Sequence, residues 1–360
     1  MVTILHVMPE FALAGAETMC TSLVLGLKKM NYNIIVASLF DYHSSLTSRL
    51  EEEGIKVIYL KKKQGLDFSM IKKLSDIMKE NKVQILHTHR YVMQYAVPAA
   101  ILARVKVRVH TVHSIAKGEF GKSQRILASV FYRFCNVVPV AISPIVKSTI
   151  LEEYKMNSEI VPMIYNGADI SKCIVKTDYT ASDQIKILHV GRLTDVKNQS
   201  LIIGALKILS DKGYNLSLDM YGAGENKVLY SNLIKSLSLE DKAHLRGLID
   251  DVFPIMHDAD IFVLPSKYEG MPMTLIEAMG TGLPIIASRV GGIPDMIDSS
   301  EDGILIEPNQ DELVLALENL INDYTLRKKI GEHTRLKSHL FSAEVMVNNY
   351  SKLYETQLKK

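Results

Sequence analysis

Several residue types are scarce in this sequence, and each scarcity excludes a class of protein. Among 360 residues there are three cysteines and no tryptophan. Cys20, Cys135 and Cys173 lie far apart, which fits neither a disulfide framework nor a paired metal site. Apolar runs are short, since stretches such as 137–142 fall far below the roughly 18–20 residues that span a bilayer. The start of the sequence shows no signal-peptide pattern either, so we expect a cytoplasmic protein.

Motifs for covalent catalysis and for metal binding are also missing. The sequence contains no G-x-S-x-G nucleophile motif and no glycine-rich G-x-G-x-x-G fingerprint. His87 and His89 are metal ligands by residue type, but no carboxylate or cysteine stands near them in the sequence. We therefore interpret them as residues that line a cleft, and His110, inside a predicted strand, as a core residue.

Charge is unevenly distributed along the chain, although the net charge is only +2. Residues 1–165 contain 21 Lys or Arg against 13 Asp or Glu, and the remainder is acidic. A basic first half indicates an anionic partner, such as a membrane surface or a phosphate-bearing acceptor, or it is simple scatter of surface charge. Nucleic acid is not expected as a partner, because the basic residues form no known reader motif and no aromatic residues alternate with them.

Short β-branched runs alternate with amphipathic stretches, which predicts an α/β fold with parallel sheets. An irregular polar segment, 170–184, interrupts the alternation, so we expect two doubly wound sheets joined by one linker. The predicted strands of the first half are 2–8, 34–38, 57–60, 84–87, 107–112, 138–142 and 160–164. Those of the second half are 185–190, 216–221, 243–245, 260–264, 284–287 and 303–306.

Ligands of such sheets bind beyond the carboxyl ends of the strands, where one segment stands out. Residues 264–284 follow a predicted strand, turn at Gly270 and enter a helix near Thr274, with Glu269 in the loop and Glu277 in the helix. A helix N-terminus favours a phosphate group, and carboxylates accept hydrogen bonds from sugar and ribose hydroxyls. The spacing of the two glutamates is weak by itself, but the strand, loop and helix around them favour a nucleotide-sugar site.

A second block, Gly191-Arg-Leu-Thr-Asp-Val-Lys-Asn-Gln, directly follows the strand 185–190. Arg192 and Lys197 would place two cations where negative charge builds on a leaving diphosphate. Taken alone, the block is more typical of a capped helix start with surface charges.

Together the two blocks resemble the large GT-B glycosyltransferase family usually numbered four, whose donor motif has two glutamates separated by seven residues. The resemblance implies that Glu277 binds the donor ribose and that Glu269 holds the transferred sugar. It also implies sugar contacts from the amides of Gly270 and Met271. The amides of Thr274 and Leu275 would lie near the diphosphate, where Arg192 and Lys197 act in catalysis.

Weaker matches to the same family add further candidates. Gly222, in Tyr-Gly-Ala-Gly-Glu, resembles the family's glycine turn, although it equally allows tight packing, and Leu245 resembles the segment beside the nucleotide base. Gly15 resembles the phosphate loop of the first domain, where Ala14 replaces the first of two glycines. His113, at a strand end, matches a family histidine that faces the sugar. Gly291 and Gly292 match a loop that we interpret as structural.

The resemblance implies two Rossmann-like domains of GT-B architecture facing an interdomain cleft. The acceptor-side domain spans 1–168, a linker spans 169–184, the donor-binding domain spans 185–342, and the helix 343–360 packs back on the first domain. The implied activity is a retaining hexosyl transfer from a nucleotide-diphosphate sugar, with a UDP-sugar expected. It needs no cofactor and no metal. A glycan or lipid-linked acceptor for cell-surface polysaccharide is expected, with peripheral contact to the inner face of the cell membrane.

Three other interpretations of the sequence are less consistent with its residues. Asp258 and Asp260 have the spacing of a metal-binding pair in the other major glycosyltransferase fold, but they precede their strand and so lie at the wrong end of the sheet. An epimerase on the same fold would need paired acid and base carboxylates, which are missing. A non-enzymatic nucleotide-sugar or glycan-binding relative would be expected to lack Arg192, Lys197 or Glu269, and all three are present.

Overall fold

The computed structural model describes residues 1–180 and 183–360, and the chain divides into two compact units. Unit 1 comprises Met1–Gly167 together with Ala343–Lys360, and unit 2 comprises Ala168–Ser342. Two residues of the predicted linker, Ala181 and Ser182, lie outside the described residues.

Unit 1 is built on one sheet of parallel strands in the order β3-β2-β1-β4-β5-β6. Its strands are β1 Thr3–Met8, β2 Asn33–Ser38, β3 Lys56–Tyr59, β4 Ile85–His89, β5 Val107–Val112 and β6 Val137–Ala141. The helices between and after them are α1 Gly15–Lys29, α2 Ser45–Glu52, α3 Ser69–Glu80, α4 Met93–Leu102, α5 Ala116–Glu119, α6 Lys122–Phe134 and α7 Pro144–Tyr154.

Unit 2 repeats this topology with the strand order β12-β11-β10-β7-β8-β9. Its strands are β7 Ile185–Val190, β8 Leu216–Tyr221, β9 Ala243–Gly247, β10 Ile261–Leu264, β11 Ile285–Ser288 and β12 Ile304–Ile306. Its helices are α8 Gln199–Asp211, α9 Lys227–Ser236, α10 Phe253–Asp258, α11 Met273–Thr281, α12 Ile293–Met296, α13 Gln310–Asn322 and α14 Tyr324–Ser338.

Both sheets have a topological switch point. In unit 1 the chain proceeds from β1 to one edge and then returns to β4, which pairs with β1 on its other side. In unit 2 the same happens between β7 and β10. Loops diverge at such points, which leaves a crevice beyond the carboxyl ends of the two central strands.

Burial explains why the central strands read as continuous apolar runs rather than alternating ones. All six residues of β1 and all four of β10 are buried, because helices cover both faces of a parallel sheet. One core of unit 2 gathers buried side chains of β7, β8, α8 and α13, including Ile187, Leu218 and Leu317. The α/β fold predicted from the sequence is confirmed.

One predicted strand is wrong. Residues 160–164 form no strand; a short 3-10 turn covers Ser158–Ile160, and only an isolated bridge joins Ala141 to Met163. Proline at 162 lacks the amide hydrogen that a strand must donate to its ladder, so pairing does not extend.

A final helix, α15 Ala343–Leu358, belongs to unit 1 and packs on α1. Two tyrosines of α15 attach it to the sheet through buried hydrogen bonds. The Tyr354 hydroxyl lies 2.6 Å from Nδ1 of His87, and the Tyr350 hydroxyl lies 2.7 Å from the Thr111 hydroxyl. The His87 and Thr111 side chains contact each other at 2.8 Å, so the four groups form one continuous network.

Candidate functional site

In unit 2, two loops meet beyond the carboxyl ends of β7 and β10, at the switch point. Lys197, from the loop after β7, donates to Oε1 of Glu269 at 2.5 Å. Ser266 donates its hydroxyl to the same oxygen at 2.6 Å. Glu269 is only 8% exposed. A buried carboxylate needs such partners, so the charge-assisted bonds fix the orientation of this side chain.

Main-chain and side-chain bonds hold these two loops together. The amide of Lys267 donates to the carbonyl of Val196 at 2.8 Å, one residue before Lys197. Asn198, one residue after Lys197, adopts a left-handed φ of 58° and donates its side-chain amide to the Pro265 carbonyl at 3.2 Å. The residues on either side of Lys197 are therefore both bonded to the loop after β10. These bonds fix the main chain of Lys197 next to the loop that carries Glu269.

A third loop supports the main chain of Glu269. Gly291 has a φ of +56°, and a Cβ added to it would stand 1.6 Å from the Glu269 carbonyl oxygen. The Gly292 amide lies 3.3 Å from that oxygen and donates to it. Only glycine allows this approach, so the residue that the sequence marked as structural positions Glu269.

Gly222 and Gly224 allow another close approach on the far side of β7. A Cβ at Gly222 would lie 2.0 Å from the carbonyl oxygen of Gly191, and one at Gly224 would lie 2.3 Å from that of Leu193. The glycine turn after β8 thus packs directly on the loop that carries Arg192. Packing alone explains these glycines, and a donor contact at Gly222 stays a prediction.

Helix α11 starts beside Glu269 and carries Glu277. Its N-terminus follows Pro272, and the amide of Leu275 donates to the Pro272 carbonyl at 3.2 Å. Burial, with a smaller contribution from Asp251, raises the pKa of Glu277 to about 8. The Met271 and Leu275 side chains are buried, so a ligand at this helix start would contact main-chain groups, including those of Gly270 and Thr274.

Arg192 and Leu245 lie on neighbouring segments of the same unit. Arg192 is exposed, and its carbonyl accepts a 2.8 Å hydrogen bond from the Gln199 side chain. That amide also lies 3.1 Å from Nε2 of His189, whose pKa burial lowers to about 4. A neutral histidine thus braces the main chain of the loop while the Arg192 side chain stays in solvent. Leu245 is half-buried against the unit 2 core.

The two remaining predicted site residues, Gly15 and His113, belong to unit 1. Gly15 is exposed at the start of α1, directly after the extended Ala14. His113 follows β5, and its Nε2 lies 3.1 Å from Nδ1 of His89. Burial holds the pKa of His113 well below its usual range, so the imidazole is neutral and serves as a hydrogen-bonding group.

The interpretation of His87 and His89 as cleft-lining residues is wrong, because β4 extends to His89 and both side chains are completely buried. His89 Nε2 lies 3.2 Å from Nδ1 of His6 and 3.5 Å from the sulfur of Cys20. Donor atoms of these three residues lie within 4.8 Å of one another. The sequence hid this cluster because Cys20 approaches from helix α1. Burial lowers the pKa of His6, His87 and His89, so all three imidazoles are neutral.

A charged group beyond the carboxyl ends of β1, β4 and β5 was also missed. Arg90 directly follows β4 with a φ of +55° and forms a 3.1 Å ion pair with the buried Glu17 of α1. Glu119, whose pKa burial raises to about 7 against the opposing field of Arg90, accepts hydrogen bonds from the His113 and Ser114 amides. Glu17, in the first turn of α1, therefore pairs with the end of β4 across the switch point of unit 1. The only sequence signal was its place in the Ala-Gly-Ala-Glu loop.

The Asp258 and Asp260 pair lies before β10, at the amino end of the sheet. Asp260 accepts a 2.9 Å hydrogen bond from the Lys186 amide and lies 3.7 Å from the Lys176 ammonium. These contacts give Asp260 a structural role on the side of the sheet opposite to Glu269.

Comparison with known proteins gives matches over most of the chain. The model of the family described as "Glycosyltransferase Family 4" matches residues 13–172, and that of "Glycosyl transferases group 1" matches residues 176–337. A UDP-Gal:alpha-D-GlcNAc-diphosphoundecaprenol alpha-1,3-galactosyltransferase of Escherichia coli is 29% identical over 290 residues, 72% of this chain and 72% of the relative. An uncharacterized glycosyltransferase of Haemophilus influenzae is 29% identical over 201 residues, 55% of this chain and 56% of that protein, about half its length.

Solved structures show the same architecture. The Anabaena protein Alr3699/HepE, crystallised with UDP-glucose, superposes with a TM-score of 0.85 at 20% identity. The match covers 99% of this chain and 100% of the other. At this identity the likeness concerns the fold.

Proposed function

Because the chain belongs to the glycosyltransferases of family 4 and group 1, we propose that it transfers a hexose from a UDP-sugar with retention of anomeric configuration. The observation that carries the proposal is the buried Glu269, held by Lys197 and Ser266 at the switch point of unit 2, next to the start of α11. A site with one cation, one oriented carboxylate and a helix N-terminus suits a sugar diphosphate.

The donor would lie across the carboxyl ends of β7 and β10. Its diphosphate would lie at the first turn of α11, near Lys197 and Arg192, and its sugar hydroxyls would donate to Glu269. Its ribose hydroxyls would donate to Glu277, one turn into the helix. Two hydroxyl donors favour the ionised carboxylate, so we expect bound donor to lower the pKa of Glu277 from its raised value. The UDP and UDP-glucose complexes of Anabaena HepE support UDP as the nucleotide.

In the proposed reaction the acceptor hydroxyl attacks the anomeric carbon on the face from which UDP departs. The bond to the diphosphate oxygen breaks as the new glycosidic bond forms, and that leaving oxygen takes the acceptor proton. Lys197 and Arg192 stabilise the charge on the leaving group, while Glu269 orients the sugar and stabilises its positive charge. His113, Gly15, Gly222 and Leu245 remain predicted contacts of the substrates.

We further propose that the transfer needs no divalent metal. Lys197, Arg192 and the α11 N-terminus would supply the positive charge that a metal gives elsewhere. Of the two aspartates that could suggest a metal, Asp260 is engaged with Lys176 and the Lys186 amide at the other end of the sheet.

For the acceptor we propose a glycan or lipid-linked precursor of a cell-surface polysaccharide, reached at the inner face of the cell membrane. The excess of basic residues in 1–165 supports an anionic partner. The E. coli relative is named for a diphosphoundecaprenol-linked acceptor, which supports this chemistry. No helix among the described residues is long and apolar enough to cross a bilayer.

A panel of nucleotide sugars, screened by thermal shift with EDTA present, tests donor class and metal independence together. We expect one UDP-sugar to raise the melting temperature selectively and Glu277→Ala to abolish the rise. A rise that appears only after a divalent ion is added would contradict metal independence. If none of the nucleotide sugars raises the melting temperature, the proposed function is contradicted.

Product stereochemistry and turnover test the chemical step. NMR of the glycoside formed from the stabilising donor should show the donor's own anomeric configuration. Arg192→Ala should lower kcat far more than it weakens donor binding, because its side chain would act on charge that develops at the transition state. Equal losses in binding and turnover would place Arg192 in ground-state binding instead.

A further inference from the structure

Helix α6 of unit 1 carries apolar side chains on its solvent side as well as on its buried side. Ile126 is 71% exposed, Leu127 36%, Val130 42% and Phe134 78%. At 100° per residue, these four positions fall within an arc of about 100° on the helix. They form a stripe, here called the α6 stripe.

The α6 stripe lies apart from the fully buried face of its helix. The buried residues of the same helix are Ala128, Phe131 and Tyr132, which point to the other side of the helix. A helix with an ordinary surface position has polar residues opposite its buried face. The α6 stripe replaces them with large apolar groups, which is typical of a surface that contacts something else.

The neighbouring helix adds to this surface. Helix α4 packs against α6, and its last two residues, Ile101 and Leu102, are 46% and 60% exposed. Both helices run down to the amino ends of adjacent strands, β5 and β6, so Leu102 and Phe134 stand at the same edge of the unit. Two adjacent helices therefore end in exposed apolar residues on one side of the sheet.

The segment that carries these helices has a large excess of positive charge. From 93 to 151 there are eight Lys or Arg and a single acidic residue, Glu119, which accepts bonds from main-chain amides and is not an exposed charge. Exposed members of this basic set next to the apolar residues are Arg104, Lys106, Lys122 and Arg133. Lys122 and Arg133 lie along one margin of the α6 stripe, since they are placed about 20° to 40° from Ile126 on the helix.

We infer that the α6 stripe and the end of α4 form a membrane-docking surface that inserts apolar side chains among anionic lipids. Apolar residues flanked by lysine and arginine bind such interfaces through buried area and attraction to the lipid head groups. A partner protein's apolar groove would not require the surrounding positive charge. The inference rests on the proposed lipid-linked acceptor for its purpose, while its geometry stands by itself.

This surface would give unit 1 a defined orientation on the membrane. Helix α6 begins three residues after α5, which follows His113 at the carboxyl end of β5. The start of α6 is therefore close to the loops where an acceptor would lie, and its end reaches the opposite edge of the sheet. A helix lying flat on the lipid would keep those loops near the head groups, within reach of a lipid-linked acceptor.

Co-sedimentation with vesicles tests the surface. The full chain is mixed with vesicles of phosphatidylglycerol and phosphatidylcholine in equal parts, and with phosphatidylcholine alone, at low and high salt. We expect binding to the anionic vesicles that weakens as salt rises. Ile126→Ser with Phe134→Ser should lower the binding constant about tenfold or more, because both side chains lose their apolar contact with lipid.

Leu315→Ser is the matched control. Leu315 is 59% exposed on α13, a helix whose first turn is acidic, so its loss should leave vesicle binding unchanged. A charge variant, Lys122→Glu, should weaken binding at low salt and have little effect at high salt. Circular dichroism melting checks that each variant folds, which the exposure of the changed side chains favours.

Three results would overturn the inference: no vesicle binding by the unchanged protein at any salt, unaltered binding by the double variant, or a solution dimer that the double variant dissociates. The last would assign the stripe to a second copy of this chain. Donor-induced thermal shift, measured without vesicles, reports separately on the proposed function. A double variant that loses vesicle binding but keeps the donor-induced shift supports the membrane-docking surface. If the unchanged protein shows no donor-induced shift, only the transferase proposal is contradicted.

Discussion

The two units share one strand order but fill their switch points differently. Between β7 and β10, unit 2 holds a lysine, a carboxylate and a serine in direct contact. Between β1 and β4, unit 1 holds His6 and His89 with Cys20, all fully buried and neutral. The same topology therefore supports an ionic site in one unit and a hydrogen-bonded core in the other.

This difference shows where each unit places its charge. Unit 2 keeps an ion pair inside, between Lys197 and Glu269, and main-chain contacts hold the loops that carry the two residues. Unit 1 keeps the cluster between its central strands neutral and places its ion pair, Arg90 with the buried Glu17, beyond the strand ends. Fold-level likeness thus gives the location of a site, and the side chains at that location decide what it binds.

The largest expected effect tests the ionic switch point. Lys197→Ala removes the cation beside Glu269 and should lower kcat with the stabilising UDP-sugar by about 10²–10³-fold. Steady-state kinetics measure the loss. The control is Lys207→Ala, which removes a surface lysine paired with Asp211 four residues on and should leave kcat unchanged. Near-normal turnover in Lys197→Ala would remove the chemical distinction between the two units.

A second prediction concerns how unit 2 orients its carboxylate. Gly291→Ala forces a methyl group against the Glu269 carbonyl and should destabilise the protein by about 2–3 kcal/mol and lower kcat/KM about 10- to 100-fold. Gly65→Ala is the control, since its φ is +74° but nothing lies within 4 Å of an added Cβ, so only a backbone cost of about 1 kcal/mol is expected. Denaturant unfolding and kinetics report both. Equal effects of the two changes would show that the Gly291 contact does not position Glu269.

A third prediction tests whether the buried carboxyl group of Glu277 lowers the stability of unit 2. The pKa of Glu277 is raised to about 8, so folding is progressively opposed as pH rises from near 4.5 to 8 and constantly opposed above that. Glu277→Gln should therefore be no more stable than the unchanged protein near pH 4 but about 1–3 kcal/mol more stable at pH 8 and above. Thermal melts across pH without donor measure the difference. A difference independent of pH would indicate an ordinary pKa.

The smallest effect tests the neutral interior of unit 1. Tyr354→Phe leaves Nδ1 of the buried His87 without its hydroxyl partner and should lower the free energy of unfolding by about 1–2 kcal/mol. Tyr59→Phe removes a hydroxyl that bonds Glu51 at the surface, so it should cost much less. Equilibrium urea unfolding compares the two. Donor-induced thermal shift should be unchanged in both variants.

Much of the fold and part of the site could be predicted from the sequence. Continuous apolar runs marked the buried strands, and the strand-loop-helix context of Glu269 and the loop of Lys197 located the two sides of one ion pair. These features are local, and a parallel sheet brings successive carboxyl ends to the same edge. The wrong strand at 160–164 has apolar residues like those of a real strand, but Pro162 among them prevents regular pairing.

The rest depends on approaches between distant segments. Nothing near Gly291 in the sequence indicates that it lies against the carbonyl of Glu269. Cys20 meets His89 only because α1 covers the face of the sheet on which β4 displays its histidines, and Arg90 meets Glu17 for the same reason. Such contacts follow from tertiary packing, which single-sequence patterns do not encode.

The attachment of α15 to unit 1 has a consequence for how the protein is made. Unit 2 is one continuous stretch, so it can complete its fold as soon as residue 342 has left the ribosome. Unit 1 begins to emerge first, yet its sheet face waits for Tyr350 and Tyr354 to satisfy Thr111 and His87. The half that is synthesised first is thus finished last, once residues 343–358 have emerged and α15 has packed on α1.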